Sequence, residues 1–192
     1  MTLNYCCCLS SNTRNTNLKA CTFCRGNTFY CLKLKFVSPL LIMENVWIGG
    51  ITSAIDEGEL KRLNISNVVI LSSECCLEFF NDFKYSRVEI GIDKVKLEDL
   101  DTVADLVNKA KSGVLVHDIG NGNRSALGVI AYLIKHKQYS LKNALEVINR
   151  KKGIIYMPKD YLILLQLFAD KYYKESKREL MSLKENEEVS LK

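Results

Sequence analysis

Apolar residues along this chain fall into short unbroken runs that alternate with helical stripes. Val46, Trp47 and Ile48 form a brief run ended by Gly49-Gly50, which predicts a short strand. Asp56 to Leu63 predicts a short helix. Val68 to Leu71 is apolar throughout, the pattern of a strand buried on both faces. Cys75 to Phe80 reads as a further short helix. Tyr85 to Ile92 alternates around Val88, Ile90 and Ile92 and reads as a strand. Leu100, Val103, Ala104, Leu106 and Val107 form a helical stripe within Leu97 to Ala110, and Gly113 follows its end. Val114 to Val116 is the next buried strand, and Ser125 to Lys135 the next helix. Ser140 caps a helix reaching about Arg150, and Pro158 precedes a last one from about Asp160 to Tyr173. Strands alternating with helices predict an α/β fold, a central mostly parallel sheet flanked by helices. Ligands of such sheets bind at the carboxyl ends of strands, and the loop after Val116 lies at one.

The pattern also divides the chain. Residues 1–42 are rich in Cys, Asn, Ser and Thr with little periodicity and read as a poorly ordered leader. Residues 43–175, opening at Met43, read as the folded domain, and 176–192 as a charged tail. Apolar residues make up 47% and charged residues 26% of the 192, enough for one domain with a sizeable core. The net charge of +5 is scattered, with no Lys/Arg block, so a nucleic-acid partner is not expected. No apolar run reaches the ~18 residues that span a bilayer, and the first residues lack the apolar centre of a signal peptide. No membrane association is expected, and the location expected is cytoplasmic, with nuclear as the other choice.

Of the eight cysteines, Cys6, Cys7, Cys8, Cys21, Cys24 and Cys31 crowd the leader, and Cys75 and Cys76 are adjacent in the body of the chain. A secreted disulfide scaffold would spread them through the fold. Cys21 and Cys24 have the spacing of half a zinc site. The second pair is missing, and His117 and His136 lie far off, so neither a metal nor any other cofactor is expected. The Cys6-Cys7-Cys8 cluster could carry S-acylation, but no recognised lipidation motif stands beside it.

The chemistry concentrates in VLVHDIGNGNRSALGVIAYLI, Val114 to Ile134: strand, polar loop, helix. A loop running into a helix N-terminus converges several N–H groups on one space, and the helix dipole makes that space electropositive. Gly120 and Gly122 allow the curvature of such a nest. Arg124 supplies a planar fork that suits a phosphate. The anion-binding set is therefore Ile119, Gly120, Asn121, Gly122, Asn123, Arg124 and Ser125.

His117, one residue, five more, then Arg124-Ser125 resembles the signature of the cysteine-dependent protein tyrosine phosphatases, His-Cys-x5-Arg-Ser/Thr. Among these the small dual-specificity phosphatases are most similar. The resemblance covers about residues 43–173. It includes Trp47-Ile48-Gly49, LNISNVVIL, VLVH, AYLIK, ALEVINRKK and Met157-Pro158 ahead of a Leu-rich helix. It implies a dual-specificity phosphatase-like fold with the phosphate-binding loop between strand and helix.

The resemblance breaks at the reactive residue. The family's nucleophile is the cysteine after the histidine, held as a thiolate; here that residue is Asp118. Asn121 stands where the family usually has a mid-loop glycine, and Asn123 replaces a frequent serine. The family's general acid is an aspartate after the strand ending near Ile92. Asp93 lies one residue early for it, with Lys94 in the expected place, so Asp93 is either a displaced acid or a solvated loop carboxylate. His117 either orients the loop or is a satisfied buried polar residue. Ser125 carries either the hydroxyl that faced the nucleophile or a helix cap, and the two roles are compatible. Asp118 carries the same charge as a thiolate but has two acceptor oxygens. It either leaves the pocket open to phosphate or plugs it, pairing with Arg124 as a built-in phosphate mimic.

No catalytic residue is therefore expected. The resemblance implies an inactive phosphatase-like protein that binds phosphoproteins, kinases or active phosphatases in signalling. The alternative is an active phosphatase, for protein or an RNA 5′-phosphate, with an altered or metal-assisted mechanism, since aspartyl-phosphate chemistry generally uses a metal. An introduced substitution would leave the rest of the motif intact, which it is not. A decayed domain is the remaining reading. Oligomeric state is not legible in the residues.

Overall fold

The structure is a computed structural model that describes residues 38–72, 80–90, 95–118, 123–152 and 157–173. Strands β1 (Leu40–Met43) and β2 (Val46–Gly49) lead into helices α1 (Ile51–Ala54) and α2 (Glu57–Arg62). Then come β3 (Ile65–Leu71), β4 (Lys84–Val88), α3 (Leu97–Lys109), β5 (Gly113–His117), α4 (Asn123–Lys137) and α5 (Leu141–Lys152). A last helix, α6, covers 159–173. The five strands form one sheet in the order β1-β2-β5-β3-β4, with β1 antiparallel to β2 and the other pairs parallel. This is the α/β architecture the alternation predicts.

Strand β5 occupies the centre because every one of its residues is buried. Val114 and Val116 face the core of helices α3 to α6, and Leu115 faces the smaller core under α1 and α2. Val69 and Leu71 of β3 join the larger core while Val68 and Ile70 join the smaller. The unbroken apolar run Val68 to Leu71 thus reflects burial on both faces.

Local chemistry sets the boundaries. The Asp56 carboxylate caps α2 by accepting the Glu59 N–H at 3.0 Å. After α2 the chain reverses at Asn64, whose φ of 55° is left-handed, a conformation Asn tolerates better than most residues. The Asn64 carbonyl then accepts the Gly113 N–H at 3.1 Å. A Cβ on Gly113 would lie 2.6 Å from that oxygen, so only glycine lets β5 start beside the α2 exit. Ser140 Oγ caps α5, accepting the Asn143 N–H at 3.2 Å, as the sequence predicts.

Three expectations are corrected. The folded domain does not open at Met43. Strand β1 takes in Leu40 to Ile42, Ile42 is buried, and β1 pairs along β2, so residues read as leader close the sheet edge. Such a short strand has no period of its own and exists through its partner. The strand expected to reach Ile92 ends at Val88, where the Ile90 N–H turns back to the Val88 carbonyl at 2.9 Å, a three-residue turn that breaks the ladder. Helix α1, too short for a legible stripe, was not expected. The helix expected at Cys75 to Phe80 lies almost wholly outside the described residues, and the leader cysteines lie outside them too.

The helical layer is tied together by Asp101 of α3. It accepts Lys135 of α4 at 2.9 Å, Lys171 of α6 at 2.6 Å and the Tyr172 hydroxyl of α6. Together these bonds hold Asp101 below the ordinary carboxylate range against its partial burial. Helices α3 and α4 touch at Gly128, where an added Cβ would lie 2.6 Å from Val103 Cγ1 and 3.0 Å from Leu71 Cδ1. Gly128→Val is therefore expected to destabilise the fold by about 2 kcal/mol through overpacking. A lower urea midpoint at unchanged slope checks it, and an unchanged midpoint contradicts it.

Candidate functional site

The site forms where the central strand ends. His117, the last residue of β5, pairs with Gly49 on β2 and Ile70 on β3, so Asp118 emerges at the carboxyl edge of the sheet's middle. The chain returns as α4, which begins at Asn123 and is buried from Arg124 to Ile134. That burial follows from ALGVIAYLI, apolar on every face, which needs cover on all sides. It also strands the first N–H groups of α4 away from water, where they require acceptors.

Asp118 provides one. Its Oδ2 accepts the Arg124 N–H at 2.9 Å and the Ser125 N–H at 3.3 Å, and the residue is 1% exposed. The carboxylate, placed six and seven residues before its donors, acts as a helix cap from the end of the adjacent strand. The positive end of the helix dipole and the two charge-assisted bonds stabilise a negative charge that burial alone would oppose. The sequence reading paired Asp118 with Arg124. The structure makes that pair through the main-chain N–H of Arg124.

The Arg124 side chain goes elsewhere. It is 8% exposed, and its Nη1 donates to the Ile90 carbonyl at 2.9 Å, so the guanidinium spans from α4 to the turn leaving β4. Ser125 is fully buried beside it. Asn123 opens the helix and is partly exposed. Ile119, Gly120, Asn121 and Gly122 of the expected anion nest, and Asp93 of the expected acid position, lie outside the described residues. Among the described residues no group of three or more His, Cys, Asp or Glu side chains could hold a metal ion.

Ile90 is the site residue that sequence reasoning missed. Its apolar side chain marks it as core, and the atom that matters is a main-chain oxygen, which no residue type advertises. The break of the alternating pattern after Val88 is the nearest signal, because a carbonyl is released where a ladder stops.

No family model matches the sequence. A protein named as a tyrosine phosphatase in Invertebrate iridescent virus 6 is 31% identical over 127 residues, covering 62% of this chain and 84% of the viral protein. Dual specificity protein phosphatase 1 of Arabidopsis thaliana is 30% identical over 122 residues, 60% of this chain, and the match spans 61% of the plant protein's length. Among solved structures, human DUSP28 superimposes with a TM-score of 0.66 at 19% identity, over 71% of this chain and 99% of that one. The human tyrosine phosphatase-like serine/threonine/tyrosine-interacting protein gives 0.63 at 18% identity, over 70% and 97%. These two likenesses concern the fold. No helix among the described residues is long and apolar enough to cross a membrane.

At the site, the surroundings of His117 act strongly on its titration. The residue is fully buried, and among the described residues neither ring nitrogen has a hydrogen-bond partner within bonding geometry. Burial pushes the imidazole down from 6.5 to about 4; the adjacent Asp118 main chain offsets part of this, and the Arg87 charge adds to it. A lowered histidine means that the unfolded chain binds a proton the native chain refuses. Stability from this group is complete above pH 6.5 and is lost as pH falls from there toward about 4. At about 1.4 kcal/mol per unit the loss is roughly 3 kcal/mol. Unfolding free energies measured across this range should fall by that much more for the native chain than for His117→Gln. Parallel pH profiles would contradict the assignment.

Proposed function

Because the chain belongs to the dual-specificity phosphatase family, we propose that it is a member without phosphatase turnover that acts by binding. The observation that carries this reading is Asp118 at the place where the family resemblance puts the cysteine nucleophile, with its Oδ2 already accepting the N–H groups of Arg124 and Ser125. A cysteine thiolate attacks phosphorus and then leaves easily from the phosphocysteine. A carboxylate in its place would form an acyl phosphate, a step that generally uses a metal to offset the charge between carboxylate and phosphate. Here Oδ2 of the buried carboxylate caps a helix. Function then rests on recognition, with phosphoproteins, kinases or active phosphatases as the partners in signalling, in the cytoplasm or nucleus. One structure of the same fold belongs to a protein whose own name describes it as phosphatase-like and interacting.

Release of phosphate from a generic aryl phosphate tests the reading. The native protein is expected to show none above blank, with or without Mg²⁺ or Mn²⁺. Asp118→Cys is expected to gain measurable turnover, because the helix N-terminus remains to hold the phosphoryl group. Metal-dependent turnover by the native protein would sink the proposal and make Asp118 a nucleophile.

A further inference from the structure

Among the described residues four large apolar side chains are exposed, and all four belong to α6: Leu162 (37%), Ile163 (51%), Leu167 (53%) and Tyr173 (70%). A single exposed leucine is ordinary on a protein surface, whereas four concentrated on one helix mark a face that meets another protein. The inner side of α6 already serves the fold. Leu165 and Phe168 are buried in the larger core, and Leu164, Ala169 and Tyr172 pack against it. One apolar stripe is what such a surface helix needs, so the outer apolar residues exceed the demand of this core. An open groove between α5 and α6, lined by Leu141, Leu145 and Gln166, borders the helix and leaves it accessible.

Charge says what covers this face. Lys159, Ile163, Leu167 and Asp170 are all exposed and follow one another at steps of four, four and three residues, which aligns them on one side of the helix. Lysine stands at the N-terminal end of the stripe and aspartate about 16 Å further along, with the two apolar residues between them. Gln166 Nε2 donates to Asp170 Oδ1 at 2.8 Å, which keeps that carboxylate on the helix surface. Reversing the stripe exchanges its charged ends and leaves its centre apolar. A second copy of α6 laid antiparallel, with Ile163 against the partner's Leu167, places Lys159 against the partner's Asp170, and the two-fold axis repeats each contact. The two helix dipoles also oppose each other in that arrangement. A parallel copy would set lysine against lysine and aspartate against aspartate. We infer that the chain forms a homodimer through α6, with Ile163 and Leu167 at the centre of the contact and a Lys159–Asp170 pair at each end. This assembly goes beyond the proposed function and holds whether or not the chain turns over phosphate.

Sedimentation velocity of the full chain tests it, from roughly micromolar to submillimolar protein, the range in which a small interface dissociates. The native protein is expected to show a reversible monomer–dimer equilibrium. Ile163→Lys is expected to weaken association at least about tenfold by placing a charge at the centre of the contact, and Leu167→Lys carries the same test if that variant fails to fold. Lys159→Glu and Asp170→Lys are each expected to weaken association at least about threefold, because the two-fold axis makes every substitution act at both ends. The double variant restores opposite charges and is expected to return to within about twofold of the native chain. A monomer throughout the concentration range overturns the dimer, whether residues 174–192 of the same chain or a different protein cover the face instead. A dimer indifferent to both lysine substitutions overturns it as well. So does a double variant no tighter than the single ones, since the copies would then meet in another orientation.

Discussion

The bond from the Asp118 carboxylate to the first amides of α4 is the contact on which the centre of this molecule depends. A helix buried from Arg124 to Ile134 cannot satisfy its leading N–H groups with water. The adjacent strand delivers an acceptor at the one place where the sheet's carboxyl edge meets the helix start. With that end secured, Arg124 is positioned to reach the Ile90 carbonyl, which ties α4 to the turn after β4. At its other end α4 is fastened through Lys135 to Asp101, and Asp101 in turn holds α6.

The same bond has a chemical consequence. The geometry that would lower the pKa of a thiol and cradle a phosphoryl group also suits a carboxylate, because both carry one negative charge. A carboxylate gives a better hydrogen-bond acceptor and a poorer route to turnover. On the proposed function, stability and catalysis make opposite demands on one position, and in this chain the residue present caps the helix. The fold shared with solved phosphatases persists because its core, Val114, Val116, Val129 and Ile130 among others, does not involve the reactive atom.

Much of the architecture was legible in the residues. Unbroken apolar runs marked β2, β3 and β5, and alternation marked β4; three-to-four spacing marked α3; Ser140 and Asp56 marked helix starts, where their side-chain oxygens cap by local geometry. These signals are local and survive without a tertiary partner. Strand β1 and helix α1 were not legible, because four residues carry too little periodicity and their conformation is set by what they pack against. The end of β4 was misplaced because Ile90 keeps the apolar alternation while its backbone leaves the ladder.

At the site, residue order alone established that a buried strand runs through a glycine-bearing loop into a buried helix, and that aspartate stands where a cysteine is expected. Those facts follow from side-chain type and spacing. The destination of each polar group emerged only with the chain folded. Asp118 engages main-chain amides, Arg124 a main-chain carbonyl, and the His117 ring is enclosed in the core. Main-chain groups are identical at every residue. Which of them face a given side chain is therefore settled by how helix, strand and turn are brought together in space.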